Sequence, residues 1–358
     1  MTRAVGALWD LTTLLSAWKR DADKPMNTPH GSLLTIEELK TYFYTLDGVV
    51  RAVDGVSLDI KPGETLGIVG ESGSGKSVTA HSVLRLLPKK ISKIVNGQIR
   101  FQRRDSQAVI DLATVDPQGD LIRSIRGNEI AMIFQEPMTS LSPVFTVGHQ
   151  IMEAIQLHQH STPKEARQIT IEMLRAVGLG MAEELVDEYP HRLSGGQRQR
   201  AMIAMALSCR PTLLIADEPT TALDVTVQAQ ILELMNDLQA KFNMAILMIT
   251  HNLGVIAEMA NRVAVMYMGK IVESGDVRTI FQQPLHPYTV GLMQSIPKMG
   301  RQIKERLNPI PGSVPDPFSI PERCAFRTRC PAIGQKCGAE APMIEVEPRH
   351  YVRCCLYS

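Results

Sequence analysis

A glycine-rich stretch has the residue types and spacing of a phosphate-binding loop. Residues Gly70 to Ser77 read GESGSGKS and fit the pattern G-x-x-x-x-G-K-[ST] at each fixed position. The glycines let successive backbone N–H groups point at phosphate oxygens, Lys76 offers a positive charge to the β and γ phosphates, and Ser77 offers a hydroxyl to Mg²⁺. A flexible glycine linker is the simpler alternative, but the apolar run from Thr65 supplies the strand that a phosphate loop requires.

A pair of acidic residues closes a second apolar run. Thr212 to Glu218 reads TLLIADE, so a buried strand would deliver Asp217 and Glu218 to one edge of a sheet. Beside bound phosphates, Asp217 is placed to hold the Mg²⁺ shell and Glu218 to polarise an attacking water. An acid pair alone would more simply be a solvated strand end, but the phosphate loop upstream favours the chemical interpretation.

A third stretch, Leu193 to Gln197, reads LSGGQ and precedes a helical pattern. The Ser194 hydroxyl and the backbone N–H groups at a helix N-terminus form a second place for an anion. The alternative is a flexible turn in which Ser194 only caps the helix. The residues themselves leave both interpretations open.

These three stretches need a scaffold of strands and helices around them. From Leu33 to Ile60 the sequence alternates as in an antiparallel β layer, with turns expected at Asp47–Gly48 and at Asp54–Gly55. Apolar strands then alternate with helical patterns, which indicates a parallel sheet covered on both faces. Residues from about 136 to 196 are helical in pattern and are predicted to form a second, helical unit. The predicted fold class is therefore α/β.

The composition is that of a globular protein. The 358 residues are 44% hydrophobic and carry a formal net charge of +1, so the basic excess that nucleic-acid binding normally needs is missing. No apolar run reaches the roughly 18 to 20 residues that would span a bilayer, so a membrane role must come through partner chains. Residues 1–32 are predicted to be an N-terminal extension. In it, Leu8 to Trp18 is a weak surface helix, part of an unstructured extension, or sequence upstream of a true start at Met26.

Together the motifs resemble those of the ATP-binding cassette (ABC) ATPases. The phosphate loop resembles the Walker A motif, Gln135 the Q-loop glutamine, and LSGGQ the signature motif. Leu213 to Glu218 resembles the Walker B motif, Ala222 to Asp224 the D-loop, and His251 the switch histidine. The resemblance implies a P-loop NTPase core of ABC type over residues 33–280, with an antiparallel β-subdomain and an inserted helical subdomain over about 136–196.

The resemblance also implies a role for each matching residue. Four residues would take part in hydrolysis: Lys76, Gln135, Glu218 and His251. Three would hold Mg²⁺: Ser77, Gln135 and Asp217. Phe43 is expected to stack on adenine, with simple core packing as the alternative. The full set of expected nucleotide contacts includes signature residues that would serve the site of a second cassette: Phe43, Gly70, Glu71, Ser72, Gly73, Ser74, Gly75, Lys76, Ser77, Val78, Gln135, Asp217, Ser194, Gly195, Gly196, Gln197 and Asp224.

The C-terminal part, residues 281–358, narrows the resemblance. It contains HPYT at His286 to Thr289, a proline-rich stretch and five of the six cysteines. These features are similar to the C-terminal extension of ATP-binding subunits from oligopeptide and dipeptide importers, a family that includes nickel and opine importers. Clustered thiols in a reducing compartment favour a metal over disulfides. A [4Fe–4S] cluster, structural zinc and free thiols are the three alternatives, and the expected ligands are Cys324, Cys330, Cys337 and Cys354.

The function implied by the resemblance is ATP hydrolysis that powers the uptake of di- or oligopeptides through a membrane importer. The implied partners are a second ABC ATPase subunit, two transmembrane permease subunits and, through these, an extracytoplasmic solute-binding protein; no nucleic acid is expected. The chain would lie at the cytoplasmic face of the cell (inner) membrane, where residues from about Met138 to Gln156 would receive a permease helix. Import of nickel or another small solute, and an exporter cassette, are the alternative functions.

Overall fold

The computed structural model describes residues 31–106, 108–135, 140–221, 223–295, 309–319, 323–334, 337 and 340–358. The predicted helix from Leu8 to Trp18 and the alternative start at Met26 lie outside these residues, as do Met138 and Ala222. Among the helices of the described ranges, none is both long enough and apolar enough to cross a membrane.

The strands of the described chain form two sheets. In chain order the strands are β1 (Leu34–Thr45), β2 (Gly48–Ile60), β3 (Thr65–Val69), β4 (Ser92–Gln102), β5 (Val109–Asp111), β6 (Ile130–Ile133), β7 (Leu213–Asp217), β8 (Ala245–Thr250), β9 (Arg262–Tyr267), β10 (Lys270–Asp276), β11 (Ile344–Glu347) and β12 (His350–Val352). The α-helices are α1 (Lys76–Val83), α2 (Asp120–Ile125), α3 (Val147–Gln159), α4 (Pro163–Ala176), α5 (Ala182–Leu185), α6 (Gly195–Leu207), α7 (Val225–Phe242), α8 (Leu253–Met259), α9 (Val277–Gln282) and α10 (Pro287–Gln294).

The smaller sheet contains the antiparallel layer predicted ahead of the phosphate loop, as β1 and β2, together with β4 and β5, which follow the loop in the chain. Its strand order is β2-β1-β4-β5, and the first hairpin turns at Leu46 and Asp47, next to the predicted position. The second predicted turn, at Asp54–Gly55, is wrong because both residues lie inside β2. Gly55 has a φ of 83° and is the extra residue of a β-bulge, since Leu39 pairs with Val56 while Lys40 pairs with Asp54.

The larger sheet has the order β11-β12-β10-β9-β3-β8-β7-β6, and its strands from β9 to β6 are parallel. Every residue of β3, β7 and β8 is buried, as expected for strands covered on both faces. Alternate residues of β7 enter two different cores. Leu214 and Ala216 pack with the helical unit, whereas Leu213 and Ile215 pack with the antiparallel layer.

The C-terminal extension forms part of the larger sheet. β12 pairs with β10 through Glu273 opposite Val352, so the extension adds its two strands to the edge of the nucleotide-binding core. The fully buried Glu273 carboxylate accepts the backbone N–H groups of Leu285 at 2.8 Å and His286 at 2.9 Å. The same carboxylate contacts His350 Nε2 at 2.8 Å, which ties the start of α10 and β12 to β10.

The helical unit is formed by α3 to α6, which pack on one another and on β6. Two of these helices begin with a reciprocal capping box. In α4 the Thr162 side chain accepts the Glu165 backbone N–H while Glu165 accepts that of Thr162. In α6 Ser194 and Gln197 make the equivalent pair of bonds, so the signature stretch forms the start of a helix.

Candidate functional site

The predicted catalytic residues come together at the carboxyl edge of the parallel strands. β3 ends in the phosphate loop, β8 is followed by His251, β7 is followed by Glu218, and Gln135 lies two residues beyond β6. These strands are neighbours in the order β3-β8-β7-β6. In an open parallel sheet this edge is where loops from adjacent strands meet, so residues far apart in sequence share one site.

The phosphate loop has a position at which only glycine fits. Gly75 has a φ of 103°, and a Cβ there would lie 2.2 Å from the Ala52 carbonyl oxygen, so a side chain does not fit. The Lys76 ammonium is buried and donates to the backbone oxygens of Gly70 at 2.7 Å and Glu71 at 3.0 Å. Burial lowers the pKa of Lys76, although neighbouring carboxylates act in the opposite direction.

The loop and β7 provide groups that fit a nucleotide phosphate and its Mg²⁺. Ser77 Oγ donates to Asp217 Oδ1 at 3.1 Å, which places a hydroxyl and a carboxylate side by side as hard oxygen ligands. Burial raises the pKa of Asp217 above its ordinary value. Ser74 Oγ is buried and has no hydrogen-bond partner among the described residues, so it is free to meet an incoming phosphate oxygen.

Glu218 is the centre of a hydrogen-bonded group. Its carboxylate lies 2.9 Å from His251 Nδ1 and accepts bonds from Gln135 Nε2 at 3.1 Å and Thr221 Oγ1 at 2.9 Å. Burial by itself raises the Glu218 pKa, but the bonds from His251 and Thr221 and the nearby charges outweigh it, so the pKa is lowered. The φ of Glu218 is 49°, a left-handed conformation that is uncommon for a residue with a side chain and is typical of functional sites.

A cavity of about 390 Å³ opens beside the phosphate loop. Phe43 lines it together with Val50, Arg51 and Pro317, and Phe43 is only half-buried. Its neighbour Tyr42 donates to Asp54 Oδ1 at 2.8 Å and is occupied elsewhere. The position of Phe43 agrees with a stacking role and differs from the alternative of packing in the core.

The signature stretch does not line this cavity. Ser194 and Gly195 are exposed, and the Ser194 hydroxyl accepts the Gln197 backbone N–H at 3.3 Å. Asp224 is exposed as well and caps α7 by accepting the Val227 N–H at 3.0 Å. Within the described residues of this chain, these side chains therefore face solvent rather than the phosphate loop beside the cavity.

The cysteines of the extension are gathered in one region, as predicted. Burial raises the pKa of Cys324, and the nearby thiols of Cys354, Cys330 and Cys337 raise it further. Cys337 shares a thiol hydrogen bond with Cys355, which lowers the Cys337 pKa, while burial raises that of Cys355 to about 12. In the part of the chain that the structure describes, no three His, Cys, Asp or Glu side chains converge as metal ligands. The arrangement thus gives an iron–sulfur cluster no support.

Sequence reasoning missed three residues that contact the site. Thr221 bonds the Glu218 carboxylate, and its position three residues later in a turn is a signal that could have been used. Tyr288 and Arg329 of the extension contact Glu71 of the phosphate loop. They lie more than two hundred positions away in sequence, so no local pattern points to either.

Two known protein families match separate parts of the chain. The family described as "ABC transporter" matches residues 53–221. The family described as "Oligopeptide/dipeptide transporter, C-terminal region" matches residues 272–337.

Several named proteins are similar over most of the chain. The oligopeptide transport ATP-binding protein AppD of Bacillus subtilis is 52% identical over 327 residues, which is 91% of this chain and 97% of AppD. The dipeptide transport ATP-binding protein DppD of Escherichia coli is 46% identical over 315 residues, 88% of this chain and 93% of DppD.

Solved structures of ABC cassettes share the fold. The ATP-binding cassette MJ0796, in a dimeric post-hydrolysis state bound to ADP and Pi, is 27% identical with a TM-score of 0.59, over 68% of this chain and 99% of that one. The CbiO1 protein of Clostridium perfringens, part of an ABC transporter complex, is 27% identical with a TM-score of 0.57, over 71% and 92%. The chain therefore belongs to the ABC transporter ATP-binding proteins, in the group that carries the oligopeptide/dipeptide transporter C-terminal region.

Proposed function

We propose that the chain is the ATP-binding and ATP-hydrolysing subunit of a membrane ABC importer that powers the uptake of di- or oligopeptides. The observation that carries the ATPase assignment is the convergence of the phosphate loop, Asp217 and the Glu218 group at one strand edge. The peptide assignment is supported by the relatives, because AppD and DppD are named as oligopeptide and dipeptide transport proteins.

Hydrolysis needs positioning and charge neutralisation around the γ-phosphoryl group. A water oxygen attacks the γ phosphorus, the bond to the β–γ bridging oxygen breaks, and ADP leaves with the electron pair. Glu218 accepts the proton of that water, and its lowered pKa keeps it ionised for this task. His251 and Gln135 hold the Glu218 carboxylate in place, and Lys76 balances phosphate charge.

Ser77, Gln135 and Asp217 are the residues that would hold Mg²⁺. Mg²⁺ supplies additional neutralisation of the β and γ phosphates when it is bound. Phe43 and Val78 would contact the nucleotide from the cavity side, since both line the cavity. The neighbouring residues of the loop, from Ser72 to Gly75, line it too.

A second cassette is part of the proposal. Ser194, Gly195, Gly196, Gln197 and Asp224 would complete the nucleotide site of the partner subunit and not their own. Support comes from the exposure of Ser194, Gly195 and Asp224, and from the absence of all five residues from the cavity lining. The related cassette MJ0796 has been solved as a dimer with ADP and Pi.

The remaining partners follow from the importer assignment. Two permease subunits would bind the helical unit, and residues 140–156 are the described part of the surface expected to receive them. An extracytoplasmic solute-binding protein would reach the chain only through the permeases. The chain would then sit as a peripheral subunit at the cytoplasmic face of the inner membrane. The proposed units are an extension over 1–32, the cassette over 33–280 with its helical subdomain over about 136–196, and the C-terminal extension over 281–358.

For the clustered cysteines we keep a [4Fe–4S] cluster on Cys324, Cys330, Cys337 and Cys354 as a hypothesis that rests on the number and spacing of these thiols in the sequence. Anaerobic purification tests it. Brown protein with iron and acid-labile sulfide would support the cluster, and stoichiometric zinc or metal-free thiols would exclude it.

Reconstitution tests the proposed function. The chain would be assembled with its two permeases and partner cassette in proteoliposomes, with the solute-binding protein on the outside. We expect ATP-dependent uptake of labelled di- or oligopeptides. Uptake of Ni²⁺ without peptide, or movement of peptide in the opposite direction, would contradict the assignment.

A further inference from the structure

The C-terminal extension holds the phosphate loop at Glu71, the residue that follows the first loop glycine. The Glu71 backbone N–H donates to the Tyr288 hydroxyl at 2.8 Å. The Glu71 carboxylate accepts two parallel bonds from Arg329, at 2.6 Å from Nη1 and 3.0 Å from Nη2. Both partners are buried, with Tyr288 0% and Arg329 5% exposed, so neither contact is an accident of surface side chains.

Arg329 also organises the extension itself. Its Nε donates to the Pro311 carbonyl oxygen at 3.0 Å, and its guanidinium lies 5.9 Å from the centres of the Tyr267 and Phe326 rings. Tyr267 is the last residue of β9, and its ring is 4.6 Å from that of Tyr288. The two Nη groups bind Glu71 and Nε binds Pro311. Because the guanidinium is planar, these three bonds fix the orientation of its plane.

The segment that Arg329 anchors continues to the nucleotide cavity. Six residues after Pro311, Pro317 lines the cavity together with Phe43. The next residue, Phe318, packs against Gly48, since a Cβ built on Gly48 would lie 3.3 Å from the Phe318 ring. One arginine therefore contacts the phosphate loop directly and, through Pro311, fixes the stretch that borders the cavity.

Glu71 is also connected to the loop lysine. The Glu71 backbone oxygen accepts Lys76 Nζ at 3.0 Å, beside the Gly70 oxygen that accepts it at 2.7 Å. A shift of Glu71 would carry with it the carbonyl that holds the Lys76 ammonium. Three groups in contact therefore connect the extension to the charge that binds phosphate: the Arg329 guanidinium, Glu71 and the Lys76 ammonium.

We propose that Arg329, supported by Tyr288, is a positioning residue for nucleotide binding, through which the C-terminal extension sets the conformation of the phosphate loop in its own chain. The proposal rests on the proposed ATPase function and deepens it. It makes the extension a working part of the nucleotide site rather than an appendage. Arg329 itself touches neither the phosphates nor the attacking water in this account.

The test is Arg329→Ala in the full chain. Because Arg329 acts on the loop that binds the phosphates and touches no reacting group, we expect the KM for ATP to rise about tenfold while kcat changes less than about threefold. The Kd of a fluorescent ATP analogue should rise by the same factor. Arg329→Lys keeps the charge but not the bidentate pair, so it should restore only part of the affinity.

Arg262→Ala is the matched control. Arg262 is also mostly buried and bonds two acids, Asp59 at 2.9 Å and Glu64 at 3.3 Å. These contacts lie at the start of β3, at the opposite end of that strand from the phosphate loop. We expect Arg262→Ala to lower the Tm as Arg329→Ala does, but to leave the KM for ATP unchanged.

The KM of Arg329→Ala for ATP decides the proposal. Equal KM values for Arg329→Ala and wild type, with a lowered Tm, would overturn the proposal and leave Arg329 a structural residue. If Arg329→Ala does not fold, Tyr288→Phe decides, because it removes only the acceptor of the Glu71 N–H and keeps the ring packing. That variant should raise the KM about two- to threefold, and an unchanged KM would overturn the proposal. Failure of the wild type to bind ATP would instead refute the proposed function.

Discussion

The phosphate loop and the signature stretch from Ser194 to Gln197 are built in opposite ways. Around the loop, bonds join residues far apart in the sequence, as in Ser77 with Asp217 and Glu71 with Arg329. The hydrogen bonds of the signature are local, because Ser194 and Gln197 cap their own helix at 2.9 Å and 3.3 Å. The loop lies against a cavity and the signature faces solvent.

This difference agrees with the proposal that one chain carries two half-sites. The half that binds nucleotide is fixed by tertiary contacts, so it is already formed in the isolated subunit. The signature half has a rigid helix start and exposed groups, which is what a surface needs in order to meet a second copy or a related chain without rearrangement. Changes in the two regions should therefore have different effects on ATP affinity and on turnover.

The largest effect is expected from Glu218→Gln, in the half that binds nucleotide. Loss of the base should lower kcat by about 10²- to 10⁴-fold and leave ATP affinity nearly unchanged. Steady-state ATPase assays and an ATP titration would measure the two quantities. Glu258→Gln, on α8, is the control and should retain turnover; a Glu218→Gln protein as active as wild type would rule out Glu218 as the base.

A smaller effect is expected from Ser194→Ala, in the signature. Removing one hydroxyl donor from the partner's site should lower kcat by about 10²-fold. The Kd for ATP of the isolated subunit should not change, because Ser194 does not line the cavity of its own chain.

Thr162→Ala is the control for Ser194→Ala, since Thr162 forms the same capping box at the start of α4. Both variants should lose about 1 kcal/mol of stability, but only Ser194→Ala should lose activity. A weakened ATP affinity in the Ser194→Ala monomer would break the comparison between the two regions.

His251→Ala should change the pH dependence of hydrolysis. The lowered pKa of Glu218 keeps its carboxylate ionised until the pH falls well below neutrality, and His251 provides the leading hydrogen bond that lowers it. Without His251 the Glu218 pKa should rise, so the acidic fall in kcat should begin at a higher pH. A pH–rate profile that keeps its acidic limb in place would show that His251 does not control Glu218.

The smallest effect is expected outside both regions, at Glu258. Burial and the nearby Glu233 raise the Glu258 pKa to about 7, above that of an unfolded carboxyl. The folded state then binds more protons, so its stability falls as the pH rises from about 4.5 to about 7. Glu258→Gln should remove this dependence and stabilise the protein by about 1 kcal/mol at pH 8, after allowance for solvent screening. Thermal unfolding at pH 5 and pH 8 would measure it.

The sequence was informative where chemistry is local. Gly70 to Ser77, with its strand and helix, and the acids that end β7 could be located because adjacent residue types determine both the backbone and the charge. The parallel sheet followed from alternating apolar strands and helical patterns. The prediction of a turn at Asp54–Gly55 was wrong because a glycine with positive φ occurs in a β-bulge as well as in a turn.

Long-range contacts could not be derived in this way. Glu71 occupies a variable position of the loop motif, and its partners Tyr288 and Arg329 are chosen by how the extension folds back on β9 and β10. The left-handed backbone of Glu218 likewise depends on its N–H bond to Ile249 O at 2.8 Å, made across the sheet. Such features arise from packing, which a single sequence does not display.

Mixing two inactive variants tests the two half-sites most directly, in purified protein whose wild type hydrolyses ATP. One variant would be Lys76→Ala, defective in the loop, and the other Gly196→Asp, defective in the signature. If each signature serves the partner subunit, a mixed dimer contains one intact composite site. Half of the dimers are mixed and each has one of two sites, so we expect about a quarter of wild-type activity. If the mixture stays as inactive as either variant alone, the signature serves its own chain and the account is contradicted.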